Sequence, residues 1–365
     1  MDFTLSQDEQ FVQRAARDFL GALCPPSVPR AVAYGPQVLQ RKLWDGLAAG
    51  GWLGTAIPAE FGGAGSGLVN LGLFSFEGGR ALLPTSFRTT VFAAAAVIAA
   101  GNDEQRRRFL PDLATGKTVV GMAPDLPEAA SVQVASGSAS GVQQLVANAA
   151  FADMLLLFAR AEEGGTVALL LPSGTRGITV RAQRAIGGEP VAEVSLEAVS
   201  VDANSVLGTT AAPNDRAEIW ERWLDTALAL LCMEMAGGIS KVVEMTADYM
   251  KEREQFGKPL GSFQAVQHHL ANMTMLSDGA YATALQAIWA VTHRCPAHLE
   301  ASIAKAWGGS AYKAVTVLAH QLHGGIGYVR ESDLHLWSER AVADALSLGT
   351  RDHHLRRLSR ALAPR

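Results

Sequence analysis

The sequence predicts an α+β protein in three consecutive parts: an all-helical N-terminal domain over 1–117, a small middle β-barrel or sandwich over 118–212, and a C-terminal antiparallel helical bundle over 213–365. Three observations predict it. Apolar residues recur at helical spacing up to Leu113. From Thr118 to about Gly208 that spacing gives way to short β-rich runs divided by turn residues. From Pro213 the helical period returns and persists to the end.

The 365 residues can build two or three packed units, and a 48% hydrophobic share with 18% charged residues fits a compact enzyme and excludes disorder. A net charge of −4 without a Lys/Arg cluster leaves no basic field for nucleic acid, so the expected partners are a small molecule and other proteins. Cys24, Cys232 and Cys295 are odd in number and lack metal-ligand spacing, which fits a reducing compartment and no metal. The start, MDFTLSQDEQ, has no signal-peptide core, and the apolar run Val91 to Ala100 is too short to span a bilayer. A cytoplasmic protein without membrane contact is expected.

Ser6 and Glu9 form a capping box ahead of Phe11, Val12, Ala15, Ala16 and Phe19, so a helix opens the chain. Gly50-Gly51 and the segment from Pro58 to Gly63 interrupt the pattern as a turn-rich connection. Helical spacing resumes over Leu68–Leu83, Phe92–Ala100 and Asp103–Leu113. In the middle part Met154–Phe158, Val167–Leu171 and Gly177–Val180 read as strands, punctuated by Gly164-Gly165, Pro172-Ser173-Gly174 and Gly187-Gly188. Trp223, Ala227, Leu230 and Leu231 mark a helix over Trp220–Met235, and Gly237-Gly238 permit a close crossing after it. Further helices are expected over Ile239–Met250, Met273–Val291 and Ala301–His320.

Two stretches of this bundle carry chemistry. In Tyr249 to Met273 an amphipathic helix stops at Gly257-Lys258-Pro259 and restarts behind Ser262, read as its N-cap. Arg253, Gln255 and Phe256 before the break and Gln264 after it gather a guanidinium, two amides and an aromatic face, a set that suits a phosphate-bearing aromatic cofactor. In Gln321 to Tyr328, Gly324 and Gly325 have no side chains and let a ligand come close to the backbone.

The pattern R-x-Q-F-G-x-P-x-x-x-F-Q at Arg253 to Gln264, followed by Q-x-H-G-G at Gln321 to Gly325, resembles the signature motifs of the acyl-CoA dehydrogenase family, flavoproteins that desaturate acyl-CoA thioesters. The resemblance implies FAD as cofactor, held by Arg253, Gln255, Phe256, Gln264, Gln321, Leu322, His323, Gly324 and Gly325. It implies an acyl-CoA substrate, an electron-transfer flavoprotein as acceptor, and the order helices, strands, helices.

The sequence departs from the family at the reactive ring. Members hold the ring through a T-E-P-x-x-G-S-D stretch and a W-I-T-N strand, which read here as Ala123-Pro124-Asp125-Leu126-Pro127-Glu128 and Val146-Ala147-Asn148-Ala149. The hydroxyl and the tryptophan are missing. Desaturation also needs a carboxylate base at the α-carbon. Members place that Glu in an E-G-T turn, here Leu348-Gly349-Thr350, or ten residues before the glycine matching Gly237, here Ala227. Neither residue accepts a proton, so the catalytic residue is unknown. Glu234 and Asp344 are the nearest substitutes and Asp225 a lesser one. Asp352 reads as a helix cap or a ribityl contact, and His353 and His354 as an exposed face.

In the resembled dimers each FAD is shared, one subunit surrounding the ring and the other gripping pyrophosphate and adenosine. This chain keeps the second set and has lost most of the first. The expectation is a heteromer, such as a heterotetramer, in which a homologous subunit supplies the reactive half, similar to the two-chain acyl-CoA dehydrogenases of bacterial steroid side-chain breakdown. Ala227, Ala229 and Gly238 leave room for a bulky acyl group, or serve close helix packing. A self-sufficient homomer with a relocated base and a non-enzymatic scaffold are the alternatives.

Overall fold

A computed structural model describes residues 4–209, 211–293 and 297–362, so Cys295 lies outside the described residues. Helices α1 (Gln7–Leu23), α2 (Ser27–Tyr34), α3 (Arg41–Ala49), α4 (Gly67–Ala81), α5 (Ser86–Ala100) and α6 (Asp103–Ala114) come first. Strands β1 (Val120–Met122), β2 (Val132–Ala135), β3 (Ser138–Ala147), β4 (Met154–Ala161), β5 (Thr166–Pro172), β6 (Ile178–Gln183), β7 (Val191–Ser200) and β8 (Val206–Leu207) follow. Then come α7 (Pro213–Glu252), β9 (Glu254–Gln255), β10 (Lys258–Pro259), α8 (Gln264–Thr292), α9 (His298–His323), α10 (Leu334–Leu346) and α11 (Arg351–Leu362). The backbone forms two compact units, one of Met1–Arg30, Gly72–Leu83 and Leu228–Arg365, the other of Ala31–Leu71 and Pro84–Ala227.

The strand-bearing unit holds an eight-stranded sheet of order β6-β7-β3-β1-β4-β5-β8, with β2 paired to both β3 and β4. Its pairs are antiparallel except β1 with β4 and β2 with β4, which run parallel. Leu155, Leu157, Val167, Leu169 and Val194 lead the apolar core. Phe158 of β4 meets the rings of Trp220 and Trp223 edge-on at 5.1 and 4.9 Å, which seats the start of α7 on this sheet. The connection after α3 folds on itself: the Ala64 N–H donates to the Gly54 carbonyl at 2.9 Å and the Ser66 N–H to that of Thr55 at 2.8 Å. A Cβ on Gly63 would lie 2.1 Å from the Ile57 carbonyl oxygen, so the turn closes only around glycine.

In the helical unit the capping box forms, with the Glu9 N–H donating to the Ser6 hydroxyl at 3.3 Å and the Ser6 N–H to the Glu9 carboxylate at 2.7 Å. The buried stripe of α1 runs through Ala16 and Leu20, and Phe11, expected inside, is 66% exposed.

Helix α7 runs unbroken for 40 residues where the sequence suggested two helices. Its glycines mark contact, not interruption. A Cβ on Gly237 would lie 1.8 Å from the Phe76 carbonyl oxygen, and one on Gly238 would lie 2.1 Å from the Tyr312 hydroxyl. Gly79 of α4 makes the reciprocal approach, 1.8 Å from the Glu234 carbonyl oxygen. The space left by Gly238 is therefore filled by Tyr312. From Asp215 to Glu252 this helix is long and apolar enough to cross a membrane, yet 78% of its apolar window is buried in the protein, as befits a core helix. At its far end Ser262 is not the N-cap expected: α8 starts behind Phe263, and the Ser262 hydroxyl donates to the Pro259 carbonyl at 2.7 Å.

Gly237→Ala should cost at least about 2 kcal/mol, because the added methyl meets a carbonyl rather than a flexible side chain. Thermal unfolding should show its midpoint several degrees below wild type, with Gly21→Ala, where nothing lies within 4 Å, unchanged or higher.

Candidate functional site

The first motif is built as a hairpin on the end of α7. β9 and β10 pair antiparallel, Gln255 with Lys258 and Glu254 with Pro259, which leaves Phe256-Gly257 as a two-residue turn. Both turn residues are left-handed, at φ 56° and 77°, as a tight hairpin of this twist requires. Asn-Gly adopts that turn readily, whereas a phenylalanine in its first place is held against its preference. The outcome is a ring 92% exposed at the tip. Arg253, Gln255 and Gln264 are exposed beside it, and Lys258 Nζ sits 4.3 Å over the ring of Phe263. Gln264 begins α8, whose N-terminus has no side-chain cap, so its first N–H groups favour an anion.

The second motif closes α9. Gln321 is exposed, Leu322 and His323 are half-buried, and the helix ends as Gly324 turns left-handed at φ 64°. A Cβ at Gly324 or Gly325 would meet open space, so no packing among the described residues demands glycine at Gly325. The two motifs meet through rings: the Tyr249 phenol stacks on the His323 imidazole, 4.5 Å between centroids and 10° between planes. His320 stacks on Tyr328 at 4.6 Å and its Nε2 lies 2.5 Å from the Ser338 hydroxyl.

The positions where the family keeps its base are closed. Leu348 is fully buried and stands in left-handed backbone at φ 53°. Two groups hold that turn. Lys305, buried on α9, donates from Nζ to the carbonyls of Ala345 and Gly349 at 3.1 and 2.9 Å, and His354 Nε2 donates to the Leu348 carbonyl at 2.9 Å. His354 is thus fully buried rather than on the exposed face expected, and burial pushes its pKa down to about 3. His353 is half-buried. Asp352 is exposed in the first turn of α11, and it is the Thr350 hydroxyl that accepts from the His353 N–H, at 3.4 Å, in place of the Asp352 cap expected.

The substitute acids are all inside. Glu234 is buried and its Oε1 accepts from Arg340 Nη1 at 2.9 Å. Asp344 is fully buried on α10, and its field, second to burial, helps push the Tyr312 phenol well above its usual range. Burial pushes the Cys232 thiol up to about 12. Asp225 and Ala227, in the strand-bearing unit, are buried too.

In the strand-bearing unit the two ring-wall stretches are occupied with their own structure. Asp125 accepts from the Gln143 amide at 2.6 Å, and burial raises its pKa. Asn148 stands left-handed at φ 65° and its amide donates to the hydroxyls of Thr85 and Thr89 at 3.3 and 3.2 Å. Thr85 in turn donates to Glu189 at 2.9 Å. This side chain ties the sheet to α5.

Lys305, Arg340 and Tyr249 carry roles that the sequence reading missed. Lys305 had a signal, a single cation in the run ASIAKAWGGSAY. Tyr249 lay inside the quoted stretch without a role.

The chain matches the acyl-CoA dehydrogenase N-terminal domain over residues 6–117 and the acyl-CoA dehydrogenase C-terminal domain over residues 220–363. It belongs to the acyl-CoA dehydrogenase family. Among acyl-CoA dehydrogenases it is 28% identical over 377 residues to FadE27 of Mycobacterium tuberculosis, covering 100% of this chain and 99% of the relative. Its backbone superposes on a chain of the ChsE4–ChsE5 complex of Mycobacterium tuberculosis with a TM-score of 0.90 and 26% identity, covering 100% of this chain and 100% of that one. The Tcur3481–Tcur3483 steroid acyl-CoA dehydrogenase, in a G363A variant, gives 0.87, 28% and 98% of each chain. The cofactor of the acyl-CoA dehydrogenases is FAD. On the nucleotide side the donor set suits it: an exposed guanidinium, an exposed aromatic face, an uncapped helix start and open glycine backbone. On the ring side the fit fails, since the Asn148 amide is spent on Thr85 and Thr89 and Leu348 has neither a proton-accepting group nor exposure.

His354 gives this turn a pH signature. Its folded pKa is depressed from 6.5 to about 3, so the stability it contributes is complete above about 6.5 and is lost as pH falls towards 3. Unfolding free energies from urea titration should vary less with pH across that window for His354→Gln than for wild type, by up to about 1.4 kcal/mol per pH unit.

Proposed function

We propose that this chain is the nucleotide-gripping subunit of a heteromeric FAD-dependent acyl-CoA dehydrogenase, a heterotetramer in which a homologous chain supplies the reactive half of each shared FAD site. One observation carries the reading: both places for the family's base hold residues without a titratable group, Ala227 and Leu348, and both are fully buried. The nucleotide motifs, by contrast, are exposed and shaped.

In this reading the Arg253 guanidinium opposes the pyrophosphate charge, the start of α8 adds N–H donors, and Gly324-Gly325 let the phosphates approach the backbone. Phe256 offers its face to an aromatic group, and Gln255, Gln264 and Gln321 supply amide contacts. Bound FAD supplies the hydride acceptor for oxidation of the Cα–Cβ bond. The α-proton goes to a carboxylate of the homologous chain.

Support for a two-chain assembly comes from the complex of two differently named chains among the similar structures, and support for a steroid or other bulky acyl-CoA from the steroid enzyme beside it. An electron-transfer flavoprotein is the proposed acceptor and the cytoplasm the proposed site of action. We also propose the three segments 1–117, 118–212 and 213–365 as domains. A lone enzyme using Glu234 is disfavoured by the Arg340 pair, which already occupies that carboxylate.

Expressed alone, the chain should be colourless or insoluble; co-expressed with its homologue it should be yellow, with one FAD for every two chains by absorbance and protein assay. Full FAD occupancy with acyl-CoA turnover by the lone chain would sink the proposal, and loss of that turnover in Glu234→Gln or Asp344→Asn would establish the relocated base. Replacing Arg253 by Ala should weaken FAD binding by roughly tenfold or more, the loss of a charge-assisted contact.

A further inference from the structure

We propose that Tyr249 is a positioning residue for the flavin nucleotide, acting through His323, an inference that rests on the nucleotide-side reading above. Tyr249 sits one helical turn before Arg253, and the Arg253 N–H donates to the Tyr249 carbonyl at 2.9 Å. Whatever moves Tyr249 therefore moves the guanidinium's anchor. On its other side the phenol lies flat on the imidazole of His323, 4.5 Å between centroids and 10° between planes.

The imidazole is fixed independently. His323 Nδ1 lies 2.8 Å from the Ala319 carbonyl, which can only accept, so Nδ1 carries the proton and the neutral ring leaves Nε2 as a lone pair. Turning the ring would break that bond and the stack together. Gly324 follows at once, left-handed and with open space where a Cβ would be. His323 is thus the last side chain before the exposed glycine backbone, and Tyr249 the last turn before the guanidinium.

The stack clasps the two motif stretches at the point where both become exposed. A pyrophosphate held by Arg253 and by the Gly324-Gly325 backbone needs both at one fixed spacing, and a pre-set spacing removes an ordering cost from binding. The contact is made by ring faces, so a phenyl ring can replace the phenol.

The test uses the flavin-loaded protein in the assembly in which it purifies, stripped of FAD and titrated back while flavin fluorescence is followed. Tyr249→Ala should weaken FAD roughly three- to tenfold without lowering the thermal midpoint of the apo-protein, and Tyr249→Phe should stay within about twofold of wild type. His323→Ala should match Tyr249→Ala, and the double variant should bind no worse than the weaker single. Arg253→Ala, which leaves the stack intact, checks the underlying reading. Weak binding by Arg253→Ala with wild-type binding by Tyr249→Ala overturns the clasp alone. Wild-type binding by both overturns the nucleotide-side reading and the clasp with it. Additive losses, or a Phe variant as weak as Ala, also overturn the clasp. Should Tyr249→Ala not fold, Tyr249→Leu carries the same cycle.

Discussion

Helix α7 meets α4 at the distance of backbone contact and takes the Tyr312 side chain of α9 against Gly238, and the helical unit depends on that closeness. Gly79 against the Glu234 carbonyl and Gly237 against the Phe76 carbonyl leave no room for a methyl group on either helix. Helices this close exclude water from the residues just beyond the crossing. Charged groups stranded there must find partners in the protein, and Glu234 does so in Arg340. The crossing thus accounts for the commitment of Glu234 to structure. An acid spent on a buried guanidinium is poorly placed to take a proton from a substrate.

The hairpin shows the opposite economy. Phe256 is held left-handed with its ring in solvent, and backbone strain of this kind costs on the order of 1–3 kcal/mol and persists where surrounding structure enforces it. Within the chain the ring gains an edge-on contact with Phe263, 6.2 Å between centroids, and little burial. A glycine with open space around it and a helix start without a cap tell the same story in backbone terms. In the proposed reading these features gain their worth from the flavin nucleotide, whereas Leu348 and Asn148 are buried in the fold.

The sequence disclosed the helix order and both motifs because helical period and glycine punctuation are local signals. β4 and β5 were legible as apolar runs, but β3 was not: register shifts at Ala139/Gly141 and Gln143/Val146 break the alternation that marks a strand. Gly237-Gly238 were legible as a close crossing, but that α7 runs through them unbroken and that Phe76 and Tyr312 fill the space required the third dimension. His354 read as exposed because its late place in the chain says nothing of the Leu348 carbonyl folded over it. The missing base was visible as Leu348 and Ala227. What replaced its surroundings, Lys305 beneath the turn and Arg340 on Glu234, required the third dimension.

The turn around Leu348 keeps a demanding shape although the residue at its centre has no reacting group. His354 donates to the Leu348 carbonyl and Lys305 to those of Ala345 and Gly349, which stands at φ 96°. Tolerance at 348 is therefore set by torsion angle and burial together: β-branched side chains are penalised at this φ, and Asn or Gly suit the backbone but leave the buried leucine site polar or empty. Lys305 on α9, the turn and His354 on α11 thus form one hydrogen-bonded unit, a buried rivet that fixes the junction of α10 with α11.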